Sequence, residues 1–146
     1  LVLNAAAMPT VFSRIIAGEL PGRFVHRDPE VVAFLTIAPI RAGHVLVVPT
    51  AEIDHWIDVP PALHARLGAV AQHIGKALMA AYAPSRIGLM IAGMEVPHVH
   101  LHVLPIDSTA DLDFARAKNA SSSELDLAAD KIRAALAALG PAADAR

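Results

Sequence analysis

The segment Val96-Pro97-His98-Val99-His100-Leu101-His102-Val103-Leu104 alternates histidine with aliphatic residues. In an extended chain successive side chains point to opposite faces, so this alternation predicts a strand from Val96 to Leu104, closed by Pro105. Val99, Leu101 and Val103 then face a core. His98, His100 and His102 stand along the other face, roughly 6.5 Å apart for a rise of about 3.3 Å per residue. Histidine is weakly β-prone and costly to bury without partners, so three in register call for a chemical reason.

The rest of the chain supplies partners for such a strand. Thr10 can cap a short helix carrying Phe12, Ile15 and Ile16 that stops at Gly18. Phe24 to His26 and Val31 to Leu35 flank Arg27-Asp28-Pro29-Glu30 and predict a hairpin, and His44-Val45-Leu46-Val47-Val48, ended by Pro49, predicts a third strand. Leu63, Leu67, Val70, Ile74, Leu78 and Ala81 recur at helical spacing between Pro61 and Pro84. Arg86 to Ile91 reads as a fourth strand. Ser121 with Glu124 forms a capping-box pattern before a C-terminal helix that ends at Gly140-Pro141. The class is α+β: five strands, one long helix, a short N-terminal helix and a C-terminal helix.

At 146 residues and 15.3 kDa the chain fits a single domain. Residues 8–146 are read as that domain, with Met8 as its start and residues 1–7 as a disordered extension; the tail past Gly140 is expected to fray. A net charge of −2 argues against binding a nucleic-acid polymer, while leaving room for a small phosphorylated ligand. With no cysteine, thiolate chemistry and cysteine-ligated metals are excluded. No apolar stretch reaches spanning length, and no basic segment precedes Leu1 to Ala7, so a cytoplasmic protein with no membrane partner is expected.

Three readings of the histidine row stand at this point. It can be a solvated polar face. It can hold a metal through two of its members and His44, because the first and third histidines, roughly 13 Å apart, cannot share an ion bound at about 2.1 Å. Or it can be a nucleophilic centre, in which one imidazole attacks phosphorus while its neighbours pin the tautomer and shuttle protons. Elsewhere bland roles suffice: packing for His55 and Trp56, and a polar helix face for His64 and His73.

His98 to Leu104 fits the His-x-His-x-His-x-x signature, with x apolar, and the chain resembles the histidine-triad (HIT) family, in particular its Hint-like bacterial branch. Phe12 to Pro21, Val32 to Leu35 and Gly43 to Pro49 extend the likeness in the family's order. The resemblance implies a HIT-like fold, a five-stranded antiparallel sheet with a long helix, usually paired into a homodimer. It also implies a nucleotide-binding hydrolase or transferase that cleaves a phosphoramidate or related bond through a nucleotidyl-histidine intermediate, without cofactor or metal. By position His100 is the nucleophile, His102 orients it, His98 serves the leaving group and His44 completes the cluster. Thr36, Phe34, Ile37, Gly93, Met94 and Glu95 fall where the family binds its nucleotide.

The match is weaker around the nucleoside. Thr36 stands where the family usually has a ribose-binding carboxylate, and Leu89 to Glu95 lack two customary amides; Glu95 itself is an accepted variant. Many relatives bind structural zinc through a cysteine pair and histidines, but Ser13 takes a cysteine's place and Glu52 a histidine's, so no zinc is expected. A degenerate pocket leaves open an alternative, a non-catalytic nucleotide- or metabolite-binding protein.

Overall fold

Asp28 makes the first hairpin: its Oδ1 accepts from the backbone N–H groups of Glu30 and Val31 at 2.8 and 2.9 Å, which folds the chain back between β1 (Phe24–Arg27) and β2 (Val31–Leu35). The protein is described here by a computed structural model covering residues 8–142. The extension read over residues 1–7 and the end of the tail lie outside the described residues. A short helix, α1 (Val11–Ile16), precedes the hairpin, with Thr10 as its N-cap, accepting from Ser13 N–H. After the hairpin come β3 (Val45–Pro49), α2 (Pro61–Tyr82), β4 (Arg86–Met90), β5 (Leu101–Ile106) and α3 (Ser122–Leu139), with single 3₁₀ turns at Trp56–Asp58, Thr109–Asp111 and Phe114–Arg116.

The five strands form one antiparallel sheet in the order β1-β2-β3-β5-β4. The expected α+β architecture is present. α2 and α3 cover one face, where Ala33, Leu35, Val45, Val47, Leu101 and Val103 meet Leu67, Ile74, Leu78 and Ile132 in a continuous apolar core. Side-chain alternation sends Val32, Phe34, Leu46 and Val48 to the opposite face, where Phe12 of α1 packs on them. In register across that face run Phe34, Leu46, His102 and Met90, so one histidine sits in the middle of the sheet.

The main departure from expectation is the start of β5. The ladder begins at Leu101 rather than Val96 and runs through Pro105 to Ile106. β3 pairs only with Leu101 to Val103; its last residues, Val48 and Pro49, stand in register with His100 and Val99 but form no ladder with them, and the chain turns away before it reaches residues 96–98. Residues 96–100 are held by single bonds instead: Val99 N–H donates to the Ile53 carbonyl at 2.7 Å. Pro105 is tolerated because it lies past the end of β3, with a neighbour on one side only. At α3 half of the capping box forms: Ser121 accepts from Glu124 N–H.

Candidate active site

Gly43, at φ +89, lets the chain turn into β3 against the ring of Tyr82, where an added Cβ would meet Cε2 at 2.7 Å. That turn places His44 on the same face as His102. All four histidines, His44, His98, His100 and His102, are buried. A solvated polar face is therefore excluded.

Each ring is anchored in a way that settles its tautomer, because a carbonyl can only accept and a peptide N–H can only donate. His100 Nδ1 lies 2.8 Å from the His98 carbonyl, so Nδ1 carries the hydrogen and Nε2 keeps its lone pair. His98 Nε2 lies 2.8 Å from the Pro49 carbonyl, so Nε2–H donates there and Nδ1 accepts from the Thr10 hydroxyl at 2.7 Å. Ile40 N–H donates to His44 Nδ1 at 3.0 Å, which leaves His44 with its hydrogen on Nε2. That hydrogen points to His102 Nδ1 at 2.9 Å, so His102 bears its own hydrogen on Nε2.

These tautomers belong to neutral rings, and burial disfavours the charged form of each. Loss of water pushes His44 down to about 4 and His102 down to about 3, where the positive charges that His100 and His44 would carry push it further. Burial also lowers His98 and His100. Aromatic edges complete the packing: Phe12 contacts the His98 and His100 rings at centroid distances of 5.7 and 4.9 Å, and Phe114 contacts His102 at 4.8 Å.

His44, His100 and His102 open onto a cleft of about 180 Å³, lined also by Thr36, Ala38, Ala92, Gly93, Met94, Glu95, Phe114 and Ala117. Nε2 of His100 and Nε2 of His102 find no hydrogen-bond partner among the described residues and are not sealed from solvent. The cleft thus offers one lone pair beside one N–H donor, on rings 4.8 Å apart rather than the roughly 6.5 Å of a flat strand.

Of the expected nucleotide-binding residues, Thr36, Gly93, Met94 and Glu95 line this cleft and two do not. Phe34 is buried in the second core cluster against Phe12 and Phe24, and Ile37 is 67% exposed outside the lining. The Thr36 hydroxyl oxygen already accepts from Ala38 N–H at 3.2 Å. His98 stands apart from the other three. It is fully buried, both ring nitrogens are bonded and it is absent from the lining. Its carbonyl orients His100, the task assigned to His102, while His102 presents the hydrogen that faces the cleft.

The wall formed by Phe114 and Ala117 was not anticipated. It is held by Asp111, whose Oδ2 accepts from the backbone of Asp107 and Ser108 and from Arg41, and whose Oδ1 accepts from Arg116 at 3.0 Å. The backbone N–H of Asp107, first among these donors, holds the Asp111 carboxyl below the usual range. Ser108-Thr109-Ala110-Asp111 is a capping-box pattern and was the available signal.

Neither metal arrangement fits. His44 and His102 turn their facing nitrogens to each other in a hydrogen bond, and among the described residues no three histidine or carboxylate side chains converge on one point. Around Ser13 and Glu52 the neighbours are the Thr10 hydroxyl and a His98 with no free nitrogen, which are poor zinc ligands.

Comparison with known proteins shows the family and the fold. A HIT domain matches residues 17–109. An uncharacterised HIT-like protein of Mycobacterium tuberculosis is 39% identical over 103 residues, 67% of this chain and 72% of that one. The purine nucleoside phosphoramidase of Escherichia coli is 33% identical over 104 residues, 67% of this chain and 87% of the enzyme. A zinc-bound histidine triad family protein of Mycobacterium smegmatis superposes with a TM-score of 0.78 at 30% identity, covering 90% of this chain and 96% of the other.

Proposed function

The chain belongs to the HIT family, and from that premise we propose that it hydrolyses a nucleotide phosphoramidate or related phosphoryl bond through a nucleotidyl intermediate on His100. The observation that carries this reading is the pinned ring of His100, whose Nδ1–H is held by the His98 carbonyl while Nε2 opens to the cleft. In the first step Nε2 forms a bond to phosphorus as the bond to the leaving group breaks. The leaving atom takes the electron pair and a proton from solvent. Positive charge then develops on the His100 ring and is stabilised by the Nδ1–H bond to the carbonyl. His102 Nε2–H donates to the phosphoryl oxygen on which negative charge gathers. In the second step water attacks phosphorus, the Nε2–P bond breaks with its electron pair returning to Nε2, and the proton lost by water passes to solvent, which restores the neutral ring. His44 keeps the His102 hydrogen on the cleft side.

Incubation with adenosine or guanosine phosphoramidate, followed by mass spectrometry, tests this reading. A nucleotidyl adduct on His100 that forms and decays is expected; binding with neither adduct nor product overturns it. That second result is the signature of the alternative, a nucleotide- or metabolite-binding protein without turnover, which is favoured by Thr36 and by the shortage of polar partners in the cleft.

The reading includes a homodimer. β4 is an edge strand, and beside it α2 and the strand frame an apolar groove of about 700 Å³ with Met79 and Leu89 exposed. A second copy can add its own β4 antiparallel across a two-fold axis and cover this groove. Light scattering is expected to give the dimer mass, with Leu89→Lys shifting it to the monomer.

A further inference from the structure

α1 does more than cover the histidine face. It carries Phe12, which wedges edge-on between the rings of His98 and His100, and it is capped by Thr10, whose hydroxyl touches His98. The hydrogen of that hydroxyl has two acceptors in reach, the Glu52 carboxylate and His98 Nδ1, and the neutral His98 ring decides between them. Thr10 Oγ1 accepts from Ser13 N–H at 3.1 Å, the N-cap bond, so its hydrogen points away from the helix and toward His98 Nδ1 at 2.7 Å. The reverse polarity would place the His98 Nε2 lone pair against the Pro49 carbonyl at 2.8 Å, two acceptors facing each other. The cap is itself held: Thr10 N–H donates to Glu52 Oε1 at 2.8 Å, and Ser13 sits beside the same carboxylate. A chain of bonds therefore runs from Glu52 through the N-cap of α1 to His98, and on through the His98 carbonyl to His100 Nδ1.

We propose that Thr10 is a positioning residue of the histidine cluster: by donating its hydroxyl hydrogen to His98 Nδ1 it locks the His98 tautomer and holds the carbonyl that orients His100. The helix cap and the reactive imidazole are thereby one unit. Sequence distance hides this, since the partners stand 88 residues apart.

Three substitutions separate the cap from the donor. Thr10→Ser keeps both, Thr10→Val removes both, and Thr10→Asp keeps a good N-cap but has no hydrogen to donate. Nitrogen-15 NMR of the imidazoles reads the tautomers without any substrate. In the wild type and Thr10→Ser we expect His98 protonated at Nε2 and His100 at Nδ1. In Thr10→Asp we expect a hydrogen to appear on His98 Nδ1, facing the new carboxylate, and the His100 signal to shift or broaden. The activity arm rests on the proposed hydrolysis: kcat is expected to fall by about 10–100-fold in Thr10→Val and Thr10→Asp with KM within about threefold, and to stay within about twofold in Thr10→Ser. Full activity and unchanged tautomers in Thr10→Asp would reduce Thr10 to a helix cap and overturn the proposal. His98 protonated at Nδ1 in the wild type overturns it too, even if every variant misfolds. Tautomers that follow Thr10 in a protein with no turnover would sink the enzymatic reading while upholding the positioning role.

Discussion

The two faces of the sheet bury their residues on different terms. Beneath α2 and α3 the cluster is apolar throughout, and its members need only fill volume: Val45, Val47, Leu101 and Val103 against Leu67, Ile74 and Leu78. On the other face four imidazoles lie buried beside Phe12, Phe34 and Leu46, and each ring nitrogen has a specified partner or a specified opening. Dispersion and burial on the first face are non-directional, so they tolerate a changed shape at a graded cost. Hydrogen bonds on the second are directional, and one misplaced hydrogen propagates through the row. The first face stabilises the scaffold; the second holds a chemically poised but unprotonated cluster that stability alone would not select.

The largest effect is expected of His100→Ala. Turnover of a nucleoside phosphoramidate is expected to fall at least about 10³-fold while the thermal midpoint moves only a few degrees. Rates near wild type would mean that the histidine face is structural after all. The converse substitution, Leu78→Ala on the apolar face, should cost about 2–5 kcal/mol in denaturant unfolding, since Leu78 is fully buried. Below its unfolding temperature this variant should keep kcat within about twofold; a proportionate loss of kcat would show that the faces are not separable.

Acid gives a smaller, graded distinction. In the unfolded chain these histidines titrate near 6.5, whereas folded His44 and His102 do so at about 4 and about 3. Between those values the unfolded state binds protons that the folded state refuses, so stability is full above about pH 6.5 and is lost as pH falls. Denaturant midpoints measured from about pH 7.5 to 5.5, above the carboxylate range, should decline, and His102→Gln should flatten the slope. A flat profile in the wild type would show that the imidazoles are charged in the folded protein and that the tautomer assignments are wrong.

Much of this was legible from residues alone. Alternation at His98 to His102 pointed to one face of an extended chain, the periodicity of α2 and the turn at Asp28 marked their elements, and Thr10 and Ser121 announced their caps. The start of β5 was not legible, because alternation persists whether or not a neighbouring strand forms a ladder there, and the ladder with β3 stops at Leu101. The wall of the cleft was missed for a similar reason. Phe114 has no periodic partner, and its place depends on Asp111 gathering Arg41 and Arg116 from either side. Phe34 and Ile37 were placed near the ligand by their neighbours in the chain, yet the pleat turns Phe34 into the core and the bend after β2 turns Ile37 to solvent.

Sequence by itself determined which residues this protein has for its chemistry and that they share a face, because those properties follow from local geometry along a strand. Which nitrogen of each ring carries the hydrogen was decided only in three dimensions. Pro49 and Thr10, brought from other elements, assign the hydrogen of His98; the turn at Ile40 and the His98 carbonyl assign those of His44 and His100 through the path the folded chain takes, and an imidazole has no preference strong enough to choose without them.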